Sequence, residues 1–158
     1  MDYTEILKWL KDNLNEERYI HTLGTGECAR ELAKKYRLDS EKAYLAGLLH
    51  DCAKCFSNDK LLDIIHKHLQ VEECEMLNYK TLHAPVSAYI AENEFHVTDK
   101  EILSAIRWHT LGKLDMTDFE KIIFLADKIE PNTRDKEYSS EIRSLLDEEK
   151  GLDKALLR

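Results

Sequence analysis

Glycine and proline are scarce in this chain, 5 and 2 among 158 residues. Few positions therefore interrupt a helical period, and the expected fold is all-α. Long apolar runs are missing too. None approaches the roughly 20 residues that a membrane span requires. The first residues, MDYTEILKWLKDNL, set acidic side chains into an amphipathic pattern, not a basic stretch followed by an apolar block. No signal peptide is expected from them. Positive charge is in deficit, with 23 Lys and Arg against 31 Asp and Glu and a formal net charge of −8. Such a surface disfavours nucleic acid and anionic membranes as partners. A small anionic molecule stays admissible, because metal ions or a few local cations can reverse the field inside a cleft. The four cysteines, Cys28, Cys52, Cys55 and Cys74, form no recognisable disulfide framework. Cys52-x-x-Cys55 has no second closely spaced pair and sits at what reads as a helix end, so reduced thiols and a cytoplasmic location are the expectation.

What the chain does hold is a high charged share, 34%, beside 43% apolar residues. That mixture suits a soluble domain with solvated helix faces. No linker or repeat divides it, so one domain is expected over residues 1–158, with C-terminal helices over 137–158. Ile6, Trp9, Leu10 and Leu14 share one helical face. A longer helix is expected over 17–36, and another over 41–53 with Asp39 or Ser40 as its N-cap. A further helix fits 59–69. Pro85 suits a first helical turn. Thr98-x-x-Glu101 and Thr117-x-x-Glu120 read as capping boxes, and Pro131 closes the helix that follows the second.

Functional signal comes from polar residues placed where the helical period predicts core. His50 continues the stripe of Ala46 and Leu49, His109 follows Ala105 and Ile106, and Asp127 succeeds the run IIFLA. A buried carboxylate is costly unless paired or bound to a cation. Taken singly, each residue has a plainer explanation: a hydrogen-bonded core histidine, or an aspartate paired with Lys128 or Arg134. The adjacent pair His50-Asp51 shifts the balance towards a shared ion. Imidazole and carboxylate without thiolate favour iron, manganese, cobalt or zinc over a closed structural zinc site. His66, His68 and His96 lack such placement and read as surface residues.

The order His21, His50-Asp51, His83, His109, Asp127 resembles the H…HD…H…H…D pattern of the HD-domain phosphohydrolases. The words RYIHTLG, LAGLLHDCAK, LHAPVSA, IRWHTLG and FLADKIEPNTR, spread over residues 18–134, are similar to those of the YqeK-type symmetrical diadenosine tetraphosphatases. A bare His-Asp dipeptide is weak evidence; five ordered motifs are strong. The resemblance implies a helical bundle around a buried centre of two transition-metal ions, iron first, with manganese, cobalt or zinc as alternatives. It implies that His21, His50, Asp51 and Asp127 hold one ion, and that Asp51 bridges to a second held by His83 and His109. One departure is the link Pro131-Asn132-Thr133 before Arg134, where a shorter, glycine-containing link is expected.

The implied reaction is hydrolysis of diadenosine tetraphosphate into two ADP by attack of a metal-bridging hydroxide on phosphorus. Lys54, three residues after Asp51 and expected on the same side of one helix, is a candidate catalytic cation for the leaving group. Arg134 and Arg18 are candidate phosphate contacts, since a guanidinium fork matches phosphate oxygens. A solvent-exposed cation is the plainer reading for each. Other HD-domain nucleotide phosphohydrolases share the same ligands, and a non-catalytic, metal-bound nucleotide sensor is the alternative from another class. Exposed aromatic residues leave room for a homodimer.

Overall fold

A computed structural model describes residues 2–158, and no strand occurs among them. The elements run α1 (Thr4–Asn13), α2 (Glu16–Lys35), α3 (Ser40–Leu49), α4 (Asn58–His68), α5 (Glu73–Met76), a 3-10 turn (Tyr79–Thr81), α6 (His83–Asn93), α7 (Lys100–Arg107), α8 (Asp118–Ile129), α9 (Lys136–Leu146) and α10 (Gly151–Leu156). The fold is all-helical, as the scarcity of breakers predicts.

Helix starts follow side-chain chemistry. Asn15, Asp39, Ser57, Thr117 and Asp135 each accept a hydrogen bond from a first-turn backbone N–H, which satisfies donors that the helix itself leaves free. At Thr117 the capping box is complete, because Glu120 reaches back to the Thr117 N–H. The expected box at Thr98 is not formed. Asp99 caps α7 in its place, accepting from the N–H groups of Glu101 and Ile102, since a carboxylate one residue nearer the helix meets those donors better than the hydroxyl.

Helix α2 is the spine of the bundle, packing along α3 and α8, while α3 also meets α6, α7 and α8. Its approach to α3 depends on glycine: a Cβ on Gly47 would stand 2.7 Å from the Gly26 Cα. The main core joins Leu10, Cys28, Leu32, Leu48, Ile106, Ile122, Ile129 and their neighbours, and a smaller one joins Ala53, Leu61, Ile65, Leu82 and Val86 under α4 and α6. No described helix is long and apolar enough to cross a membrane.

One boundary differs from expectation in a way that matters. Helix α3 ends at Leu49, not near Ala53, and the chain continues through consecutive turns. There the amides of Cys52, Lys54 and Phe56 bond to the carbonyls of Leu49, Asp51 and Ala53, three residues back. The Ala53 N–H is taken by the Ser87 hydroxyl of α6 at 3.0 Å. That outside bond satisfies an N–H that an α-helix would have bonded to Leu49. Lys54 is therefore displayed from a turn, not from the helix face the sequence suggests.

Candidate metal centre

The six residues of the motif come from different segments and meet at helix ends. His21 lies near the start of α2, His50 caps α3 with Asp51 beside it, His83 opens α6, His109 follows the end of α7, and Asp127 sits in the last turn of α8. Among them, His50 and Asp51 are 0% and 2% exposed.

Two of the histidines are aimed by the helix ends themselves. The last carbonyls of a helix have no partner within it. The His50 Nδ1–H donates to the Gly47 carbonyl at 2.6 Å, and the His109 Nδ1–H donates to the Ile106 carbonyl at 2.7 Å. Each bond assigns the hydrogen to Nδ1, so in the neutral ring the lone pair is on Nε2 and faces inward.

The inward atoms form two groups, His21, His50, Asp51 and Asp127 in one and Asp51, His83 and His109 in the other, each with its ligand atoms within 4.8 Å of one another. Asp51 belongs to both. Its Oδ2 lies 3.6 Å from His21 Nε2 and 3.4 Å from His50 Nε2. Its Oδ1 lies 3.1 Å from His83 Nε2 and 3.2 Å from His109 Nε2. Asp127 Oδ1 completes the first group at 2.9 Å from His21 Nε2 and 3.2 Å from His50 Nε2.

This donor set suits divalent cations. His83 Nε2 and His109 Nε2 face each other across 3.2 Å with Asp51 Oδ1 beside both, three electron-rich atoms with too few hydrogens to share. Electrostatics point the same way. Burial opposes charge on Asp51, yet the His50 charge and the hydrogen bonds of His109, His50 and His83 hold its carboxyl well below the usual range. Asp127 is likewise held low against its burial, by His21 and His50. Burial would depress His50, but Asp51 and Asp127 outweigh it and raise it to about 10. The pocket calls for positive charge, which bound cations provide.

Cations surround the centre. Arg18 Nη1 reaches Asp51 Oδ2 at 2.9 Å. Arg134 Nε donates to the Asp127 carbonyl at 2.8 Å, and its Nη2 lies 3.3 Å from Asp127 Oδ1. The unexpected link Pro131-Asn132-Thr133 thus still delivers Arg134 to the centre. Lys54 is half-buried and lines a cavity that His83 also lines. His66, His68 and His96 are exposed and take no part. Cys52 is buried, with its thiol pushed up to about 12 by burial, and Cys55 is exposed; both are free thiols.

Two further residues stand at the centre: Lys128, which the sequence offers only as a pairing partner for Asp127, and Glu130, which sequence reasoning missed. Lys128 places its ammonium 3.7 Å from Asp127 Oδ2 and 3.6 Å from the centre of the Phe124 ring. Glu130 is completely buried, with Oε1 3.4 Å from His21 Nδ1. It accepts from the N–H groups of Asn132 and Thr133 at 3.0 and 2.8 Å, and from the Thr133 hydroxyl. A Cβ at Gly24 would collide with Glu130 Oε2, so that glycine makes room for the carboxylate. The signal was available: Glu130 continues the Ile123 and Ala126 stripe that marks Asp127's helix as core-facing.

Comparison with known proteins gives the chain a family. The HD domain family model matches residues 18–132. A symmetrical bis(5'-nucleosyl)-tetraphosphatase of Halalkalibacterium halodurans is 42% identical over 132 residues, 84% of this chain and 71% of that protein. The Bacillus subtilis protein of that name is also 42% identical over the same shares. The crystal structure of a predicted HD superfamily hydrolase involved in NAD metabolism, from Clostridium acetobutylicum, superposes with a TM-score of 0.90 at 38% identity. That match covers 99% of this chain and 82% of the other.

Proposed function

The chain belongs to the HD-domain family, and from that premise we propose that it hydrolyses diadenosine tetraphosphate symmetrically into two molecules of ADP. The observation that carries the reading is Asp51, whose two carboxylate oxygens each face a separate histidine group. A one-ion HD site has no use for the second group; a two-ion site needs both.

In this reading His21, His50, Asp51 and Asp127 hold one transition-metal ion, and Asp51, His83 and His109 hold the other. Iron is the first choice, and imidazole with carboxylate also admits manganese, cobalt or zinc. Such a pair supplies Lewis acidity, which makes water nucleophilic near neutral pH and draws charge from phosphoryl oxygens. The chain's own part is to bind and orient. Arg18 and Arg134, both partly exposed beside the carboxylates, turn their guanidinium groups to the phosphate chain. Lys54, next to His83, faces the departing half and stabilises the charge that develops on it. Water adds across the central P–O–P bridge. One phosphorus gains the new oxygen, the bridging oxygen leaves with the other half, and protons pass to solvent.

Product chromatography after incubation of metal-loaded protein with diadenosine tetraphosphate tests this directly. ADP as sole nucleotide is the expected result. AMP together with ATP would mean asymmetric cleavage and overturn the proposal, and turnover of a nucleoside monophosphate alone would place the chain with another HD-domain reaction.

A further inference from the structure

A symmetrical dinucleotide has two nucleoside halves, and the metal ligands account for neither. Next to the centre lies a cavity of about 240 Å³ lined by Lys54, Phe56, Asn58, Leu61, Tyr79, Lys80 and His83. His83, a ligand in the proposed second metal group, is one of its lining residues, so the cavity and the centre share a side chain.

The lining is mixed in a way that suits one half of such a molecule. Leu61 and Phe56 give an apolar wall. Tyr79 is 63% exposed at the rim although it is a large aromatic residue, which leaves a ring face free to cover a base. Asn58 brings an amide able to both donate and accept at a base edge. Lys54 and Lys80 place two ammonium groups on the same cavity. A third, from Lys60, lies 3.8 Å from the centre of the Phe56 ring. In a chain of net charge −8, this clustering marks a local reversal of field towards an anion.

The segment that presents Tyr79 and Lys80 is pinned. The Asn78 side chain accepts the Lys80 N–H at 2.8 Å, and the Thr81 hydroxyl donates to the Asn78 carbonyl at 2.8 Å. Upstream, Glu75 is 1% exposed and forms a two-point pair with Arg107 at 2.8 and 2.7 Å, which ties the segment to α7. Side chains on an anchored support bind with less ordering cost than those on a loose loop.

We propose that this cavity binds one nucleoside diphosphate half of the substrate, with Tyr79 stacking on the base and Lys80 contacting the phosphate or ribose. The inference rests on the reaction proposed above and adds to it the residues that recognise the leaving half. Base stacking on an aromatic ring is worth enough to change affinity by about tenfold.

The test is calorimetric titration of metal-loaded protein with ADP, comparing wild type with Tyr79→Ala, Tyr79→Phe and Lys80→Ala. Both altered side chains are exposed, so melting temperatures should stay close to wild type. The expected result is that an ADP site weakens about tenfold in Tyr79→Ala and in Lys80→Ala, and recovers in Tyr79→Phe. ADP affinity within twofold of wild type in both alanine variants would overturn the proposal. Failure of the wild type to release ADP from diadenosine tetraphosphate would remove the proposed reaction but not the cavity, on which the ADP titration decides by itself.

Discussion

At the scale of single residues, half of the centre was legible as polar side chains on apolar stripes, whereas Asp51 was marked by its place beside His50, and His21 and His83 by the family resemblance alone. His50, His109 and Asp127 announce themselves by that contradiction, and the structure brings them together with His21, Asp51 and His83. Glu130 carries the same mark and went unread, because a glutamate directly before a proline also looks like an ordinary helix end. Its position explains how His21 is oriented: a carboxylate facing Nδ1 keeps a hydrogen there and leaves Nε2 to face the centre. Partners of this kind change metal affinity by about 10- to 100-fold. Glu130→Gln should therefore raise the dissociation constant for Mn(II) by about that factor, measured by competition with a fluorescent chelator. Glutamine keeps one acceptor oxygen but sets an NH2 against one of the two backbone N–H groups from which the carboxylate accepts. The ion-free protein should therefore lose about 1–3 kcal/mol of stability, and affinity is compared at a temperature where both proteins are folded. Unchanged Mn(II) affinity would show that Glu130 does not orient the ligand.

At the scale of elements, helix existence followed from periodicity, while helix ends did not. Past the stop of α3 at Leu49, the Ala53 N–H is taken by the Ser87 hydroxyl, 34 residues away in sequence, and no local pattern contains that information. The segment from Glu73 to Thr81, with α5 and the 3-10 turn, was not anticipated for a related reason. It is held by Arg107 through buried Glu75, not by a repeating apolar face. The capping box at Thr117 was read correctly, and its Glu120 does more than cap. Glu120 is 2% exposed, accepts from the Ser104 hydroxyl at 2.6 Å and pairs with Lys113 at 3.0 Å, linking α7, the following loop and α8. Burial would raise its pKa, but the Ser104, Thr117 and Lys113 contacts outweigh that and hold it below the ordinary 4.5. A depressed carboxylate stabilises the fold above its unfolded pKa, and the contribution is lost as pH falls through the folded value. Glu120→Gln should thus cost about 1–3 kcal/mol at pH 7. Urea unfolding should show the gap from wild type shrinking once the pH drops below about 4.5. A gap that stayed constant down to pH 3 would mean that the charge is not what matters.

At the scale of the molecule, an acidic chain brings four cations to one place. Arg18, Arg134, Lys128 and Lys54 stand around four buried histidines, buried Asp51 and half-buried Asp127, in a chain whose net charge is −8. Composition alone disfavoured polyanionic partners and still left room for a small phosphate compound. What composition and pattern could not reveal is which surfaces enclose the substrate, because Tyr79 and Lys80 lie in a segment without periodicity. Whether Asp51 joins two metal groups is decided by counting metal in anaerobically purified protein, wild type beside His109→Ala. About two transition-metal ions per chain in the wild type and about one in the variant is the expected result. Equal metal content in the two proteins, or no bound transition metal in either after loading with iron, manganese or cobalt, would contradict it.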